Sequence, residues 1–291
     1  MLLNPKAYVA DYQDPCFQDL VKKTIEFFET KGLKQIKKDD QSMVWYDDFL
    51  TFVKKEKVFA TLLTPARYGG KDKRWDMRRL AEYNEILGFY GLCYWYAWQV
   101  TILGLGPIWM GDNEALKERT ARLLDEGGLF AFGLSERAHG ADLYASEMTL
   151  SPADDGTFVA EGSKYYIGNG NCAALISTFG KMAGTGEYVF FAVDPSLPQY
   201  ECLKKIDTSG VRQAYVAEYV LKDYPVTQAD IICSGQRAWN ASLNTINIGK
   251  FELGCASIGI CSHAFHEALN HASSRILYGR FVTDFPHVKR I

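Results

Sequence analysis

The sequence predicts an α+β fold in three successive parts: an N-terminal all-helical domain over residues 1–128, a middle antiparallel β domain over 129–235, and a partial C-terminal helical domain over 236–291. Three observations give that order. Residues 17–127 carry apolar side chains at helical spacing, punctuated by helix stops. From 129 to about 233 the pattern changes to short β-rich or alternating runs separated by turns rich in Gly and Asp. From about Gln236 it returns to helix, with Gly249, Gly254, Ala256, Ser257 and Gly259 small enough to let neighbouring backbones approach. With 291 residues, 47% of them hydrophobic, the chain can bury the core that two or three domains need.

In the first part, Leu20, Ile25, Phe27 and Phe28 make an apolar stripe that Gly32 ends, and 45–58 reads as a second helix. Residues 64–70 read as a loop from their Pro and Gly content, 77–88 as an amphipathic helix, and 114–126 as a charged-faced helix stopped by Gly127-Gly128. The stretch 86–111 has no charged residue and is long enough to cross a bilayer. Gly88, Gly91, Gln99, Gly104, Gly106 and Pro107 interrupt it, so it reads as two buried helices joined near 104–107, with no membrane span.

The middle part organises the chain. Two segments, Phe132-Gly133-Leu134-Ser135-Glu136 and Tyr166-Ile167-Gly168-Asn169-Gly170, read as strand ends. Runs at 148–150, 157–160 and 164–167 lie between them, divided by turns at Asp154-Asp155-Gly156 and Glu161-Gly162. This pattern describes an antiparallel meander that brings both ends to one rim. Further strands are expected at 175–182, 187–193 and 214–221, with Gly184-Thr185-Gly186 as a hairpin turn. Such a rim offers backbone N–H groups, the Ser135 hydroxyl and the flat Tyr166 ring to a planar ligand with a polar edge, of which a flavin is one.

A net charge of −3 gives no electrostatic case for nucleic acid or an anionic membrane, and the basic runs 71–74 and Arg78-Arg79 read as solvated faces. Seven cysteines, an odd number without C-x-x-C spacing, suit reduced thiols in a cytoplasmic protein, and the first residues lack a signal-peptide layout. His263 and His266 share a helix face but His271 is offset, and no Cys or Asp completes a tetrahedral set, so no metal site is expected. No glycine-rich phosphate loop opens a helix.

The segments LSE…GAD and GSKYYIGNG resemble the T-E-P-x-x-G-S-D and G-x-K-x-W-I-T-N-G motifs of acyl-CoA dehydrogenases. The resemblance continues in order through Tyr68-Gly69-Gly70, Gly210-Val211-Arg212, Arg275 with Tyr278-Gly279, and Phe285 with His287. It implies a FAD-dependent α,β-dehydrogenation of an acyl-CoA thioester, with electron transfer flavoprotein as oxidant and a homodimer or homotetramer as the assembly. Phe132, Leu134 and Ser135 would then line one edge of the flavin, and Tyr166 and Gly168 the other, where the family usually has tryptophan and threonine. Arg275 and Tyr278 match the R-x-x-F-G pattern that in the family reaches the FAD of a neighbouring subunit, against the reading of Arg275 as a surface helix cation, and His287, assigned with them to the cofactor, falls where the family commonly has glutamine.

On the substrate side, Ala141 replaces a motif serine, Asn247 a frequent aspartate, and Lys250 an arginine. Two family positions for the catalytic glutamate are also implied: one falls beyond Ile291 and the other is Gly249. Glu252, one helical turn on, remains as a candidate base against the reading of a solvated carboxylate. Glu136 and Asp142 are expected to cap or brace the β domain. Because the family's bundle has two further helices, the resemblance implies a truncated C-terminal helical bundle and a fragment inactive by itself. A non-catalytic binding scaffold, or a flavin oxidase or monooxygenase on the same fold, are the alternatives.

Overall fold

The computed structural model describes residues 14–290. Helices come first: α1 (Pro15–Lys31), α2 (Leu33–Gln41), α3 (Asp47–Lys55), α4 (Val58–Leu63), α5 (Ala66–Gly69), α6 (Met77–Tyr90), α7 (Leu92–Met110) and α8 (Glu114–Asp125). Strands follow: β1 (Leu129–Gly133), β2 (Thr149–Pro152), β3 (Phe158–Gly168), β4 (Ala173–Met182), β5 (Tyr188–Val193), β6 (Tyr200–Lys205), β7 (Val216–Val226) and β8 (Ile231–Ser234). One 40-residue helix, α9 (Gly235–Ser274), then leads to a small hairpin of β9 (Ile276–Leu277) and β10 (Arg280–Phe281).

Local chemistry sets the helix starts. Asp14 accepts from the Phe17 amide at the head of α1, beside Pro15, and Asp76 accepts from the amides of Arg78 and Arg79 at the head of α6. The same Asp14 carboxylate is gripped by Arg79 through two bonds of 2.8 Å, locking α1 to α6. Arg79 is therefore buried rather than part of a solvated basic face. The loop expected at 64–70 contains the short helix α5.

The uncharged stretch divides at Gly91, not near residues 104–107: α6 ends there and α7 runs on unbroken with Pro107 inside it. Gly104 and Gly106 serve packing instead. A Cβ on Gly104 would lie 2.6 Å from the Ala131 amide nitrogen, and one on Gly106 would lie 2.6 Å from Thr245 Oγ1. Thus α7 lies directly on β1 on one side and on α9 on the other. Among the described residues, no helix is long and apolar enough to cross a membrane.

The sheet has the order β6-β7-β3-β2-β4-β5-β8, with β1 also on β4. It is mixed rather than purely antiparallel, because β1 and β2 both pair parallel to β4. The two runs expected at 157–160 and 164–167 are one strand: Glu161-Gly162 makes a bulge, with Gly162 at φ +137°, instead of a turn. Strand β6 was not foreseen, since its Glu and Lys residues mask the alternation. Period-two alternation builds two cores: Phe130, Leu175 and Phe190 pack toward the helices, while Ala131, Ile176 and Phe191 face the other way. Thr178 and Tyr219, on strands that are not neighbours, bond at 2.8 Å, so the sheet curls around that second core.

Helix α9 buries a stripe of small or polar residues, including Ser242, Thr245, Gly249, Ala256 and Gly259, against α6 and α7. A Cβ on Gly259 would sit 2.1 Å from the Glu85 carbonyl oxygen, whereas one on Gly254 would meet nothing within 4 Å. Gly259→Ala should therefore cost about 1–3 kcal/mol in urea denaturation, and Gly254→Ala should gain up to about 1 kcal/mol. Equal effects at the two positions would contradict this packing.

Candidate functional site

The two strand ends singled out in the sequence meet beyond β1. The Tyr165 amide donates to the Ser135 carbonyl at 2.9 Å, and the Ser135 hydroxyl donates to the Tyr165 carbonyl at 2.7 Å. Behind this pair Lys164 is wholly enclosed, 0% exposed, and its Nζ donates to Leu134 O at 3.0 Å and to Glu136 Oε1 at 2.8 Å. The Glu136 carboxylate also accepts from Ser146 Oγ at 2.6 Å and from the Glu147 and Met148 amides at 2.7 and 3.1 Å. Burial pushes the Glu136 carboxyl up, but the Lys164 charge and these donors outweigh it and hold the group below its usual range. Burial pulls Lys164 down to about 8 despite Glu136 beside it. Glu136 thus braces the β domain, and Asp142 lies exposed at the start of a short 3₁₀ turn without a side-chain cap bond.

The rim is shaped by a second bulge. The β3–β7 register shifts between Tyr165 and Ile167, Tyr166 takes φ +63°, and its ring is turned outward, 59% exposed. Three residues on, just past the end of β3, Asn169 takes φ +58°. Its Nδ2 donates to Ala97 O of α7 and Phe130 O of β1, both at 3.2 Å. Gly168 between them is covered from the helix side: a Cβ there would lie 2.7 Å from Val100 Cγ2 and 2.8 Å from Tyr96 Oη. Sequence reading missed Tyr96, which lies on α7 far from either motif and inside an aromatic run that reads as core.

Of the other expected residues, Leu134 is buried in the helix-side core, and Phe132 stacks on Phe190 with centroids 5.9 Å apart. Ala141 is exposed in the loop after Glu136. Asn247 and Lys250 are exposed on α9, while Gly249 between them is buried against Leu103 and Gln99 of α7. Arg275, Tyr278 and His287 are not brought to the rim by their own chain. Arg275 follows Lys250 by 25 residues, roughly 38 Å along a helix, and Tyr278 is 95% exposed.

Glu252 is not a solvated carboxylate. It is 0% exposed, and neither carboxylate oxygen has a hydrogen-bond partner among the described residues. Burial raises its carboxyl well above the ordinary glutamate range. His263 bonds the Phe89 carbonyl and His266 bonds Asn270, consistent with structural or surface roles. The sequence did not bring Glu136, His139 and Glu147 together, yet their ligand atoms lie within 4.8 Å of one another. Glu136 is already saturated by Lys164, Ser146 and two amides. A separate cavity of about 640 Å³ lies among α2, α6, α7 and α9, lined by Cys93, Tyr94, Gln213 and His263, and was not foreseen.

Two outcomes follow from the buried carboxylates. Lys164→Met strands the Glu136 charge and should cost about 3–5 kcal/mol in denaturant unfolding. For Glu252 the neutral form is favoured on folding, so its contribution is whole below the free value of 4.5 and is lost as pH rises toward the folded value. The stability difference between Glu252→Gln and wild type should be flat below that point and grow in the variant's favour above it, by at most about 1.4 kcal/mol per pH unit. Parallel stability profiles would contradict the burial.

The family description "Acyl-CoA dehydrogenase, middle domain" matches residues 131–224, the segment that carries both rim motifs. The short-chain specific acyl-CoA dehydrogenase of Megasphaera elsdenii is 25% identical over 281 residues, covering 93% of this chain and 72% of that protein. The solved butyryl-CoA dehydrogenase of Megasphaera elsdenii superposes with a TM-score of 0.87 at 23% identity, over 97% of this chain and 75% of that one. An acyl-CoA dehydrogenase complexed with FAD from Bacillus anthracis gives a TM-score of 0.83 at 22% identity, covering 96% of this chain and 47% of that one. Residues 131–224 thus carry the acyl-CoA dehydrogenase middle domain, and the chain shares the fold of solved acyl-CoA dehydrogenases almost from end to end.

Proposed function

We propose that the chain is a FAD-binding acyl-CoA dehydrogenase that takes part in α,β-dehydrogenation of an acyl-CoA thioester. The observation that carries this reading is the rim itself: Ser135 and Tyr166 lie on adjoining backbones, fixed from behind by the buried Lys164–Glu136 pair. The residues present fit a planar ring. Tyr166 is held outward by a left-handed backbone, where its face can cover an aromatic ligand. The Ser135 hydroxyl, already donating to Tyr165 O, is left to accept a hydrogen bond from a ligand edge.

FAD bound there supplies the hydride acceptor. Phe132, Leu134 and Gly168 back the rim, and the segments ending β1 and β3 would hold the ring. Asn247 and Lys250, both exposed on α9, are assigned to the acyl-CoA side of the site. Ala141 offers no hydroxyl to that substrate. Glu252 is sealed between the Gly249 contact with α7 and the Ala256 contact with α6, so it is not open to a thioester in this arrangement.

Arg275, Tyr278 and His287 point to a second copy, whose FAD they would reach from the end of α9, in a homodimer or homotetramer. Electron transfer flavoprotein is the proposed oxidant and the cytoplasm the proposed compartment, in keeping with seven cysteines that are all unpaired.

The test is direct. Purified protein supplied with FAD should retain it through gel filtration, with a flavin absorption spectrum that a short-chain acyl-CoA perturbs. Tyr166→Ala should weaken FAD binding about tenfold, equivalent to about 1.4 kcal/mol. No retention of FAD by the folded protein would overturn the proposal.

A further inference from the structure

Tyr96 is the side chain that the rim has not accounted for. Its ring is half-buried on α7 and lies against Gly168, where an added Cβ would be 2.8 Å from both its Oη and its Cε1. Gly168 does not lie at positive φ and pairs regularly with Val216, so its backbone conformation does not call for glycine. What glycine gives at this position is room, and the phenol fills that room.

The hydroxyl has no hydrogen-bond partner among the described residues, in contrast to neighbouring polar groups. Thr101 donates to Ala97 O, the Asn169 amide donates to Ala97 O and Phe130 O, and the Ser135 hydroxyl donates to Tyr165 O. Burial pushes Tyr96 up to about 12, so it keeps its proton through the neutral range. A protonated phenol with no acceptor, pressed against the backbone of a ligand rim, is a donor awaiting a ligand atom.

We propose that Tyr96 delivers, from helix α7, the side-chain hydrogen bond that the Gly168 position cannot, donating to the polar edge of the flavin held on the rim. This rests on the flavoprotein reading above. A donor aimed at an atom that gains electron density stabilises the reduced ring more than the oxidised one. Tyr96 therefore tunes the cofactor as well as holding it.

The experiment compares wild type with Tyr96→Phe, which keeps the ring and removes only the hydroxyl. FAD is the probe, and the readouts are its dissociation constant by fluorescence titration, its visible absorption bands and its reduction potential. Tyr96→Phe should melt like wild type, bind FAD about tenfold more weakly, shift the absorption bands and lower the potential.

A second variant moves the hydroxyl back to the strand. Tyr96→Leu combined with Gly168→Thr should regain much of the lost potential, whereas Gly168→Thr alone, crowded by Tyr96 and Val100, should lose stability. Unchanged affinity, spectrum and potential in Tyr96→Phe would overturn the inference while leaving the flavoprotein reading intact. Failure of the wild type itself to bind FAD would overturn both.

Discussion

The site depends on one buried ammonium. Lys164 projects from β3 into the protein interior, 0% exposed, and is held there by the Leu134 carbonyl and the Glu136 carboxylate. Neither charge is tolerable alone at that depth; together, with Ser146 and two amides satisfying the remaining lone pairs, they form a closed polar network. The network has a geometric consequence. It fixes the segment after β1 beside the end of β3, so that Ser135 and Tyr165 bond to each other and Tyr166 is left at the edge. A merely apolar contact would not specify that register so tightly, because a slip by one residue would expose a charge.

The second constraint is how closely α7 approaches. Glycines at 104 and 106 let it lie on β1 and α9 with backbone near backbone, and Ser177 Oγ reaches its Gly104 carbonyl at 2.6 Å. That depth carries Ala97, Tyr96 and Val100 to the strand end, where the Asn169 amide ties helix and sheet together and Tyr96 covers Gly168. Helix composition, strand bulge and rim are thus one arrangement. Bulk added to either glycine would lift the helix and remove the support under the rim.

Much of this was legible because it is local. The switch from helical to alternating patterning marked the start of the sheet, the Gly184-Thr185-Gly186 hairpin lies between β4 and β5, and the paired motifs named the segments that meet at the rim. What escaped the sequence is tertiary. Gly104 and Pro107 looked like a helix break because packing against Ala131, the reason for Gly104, cannot be read from composition. Glu161-Gly162 looked like a turn because a bulge uses the same residues. Parallel pairing of β1 and β2 with β4 has no signature in either strand. Glu252 looked like a surface acid because its helix face is polar or small for most of its length, and only the close approach of α6 and α7 encloses it. Tyr96 was hidden among core aromatics.

Amide hydrogen exchange with and without FAD addresses the central claim most directly, since it reports where the ring sits rather than whether it binds. The rim account expects protection to increase at residues 133–136 and 165–169, with a smaller effect on the part of α7 around Tyr96. Protection confined to other segments, or none at the two strand ends while FAD is bound, would contradict it.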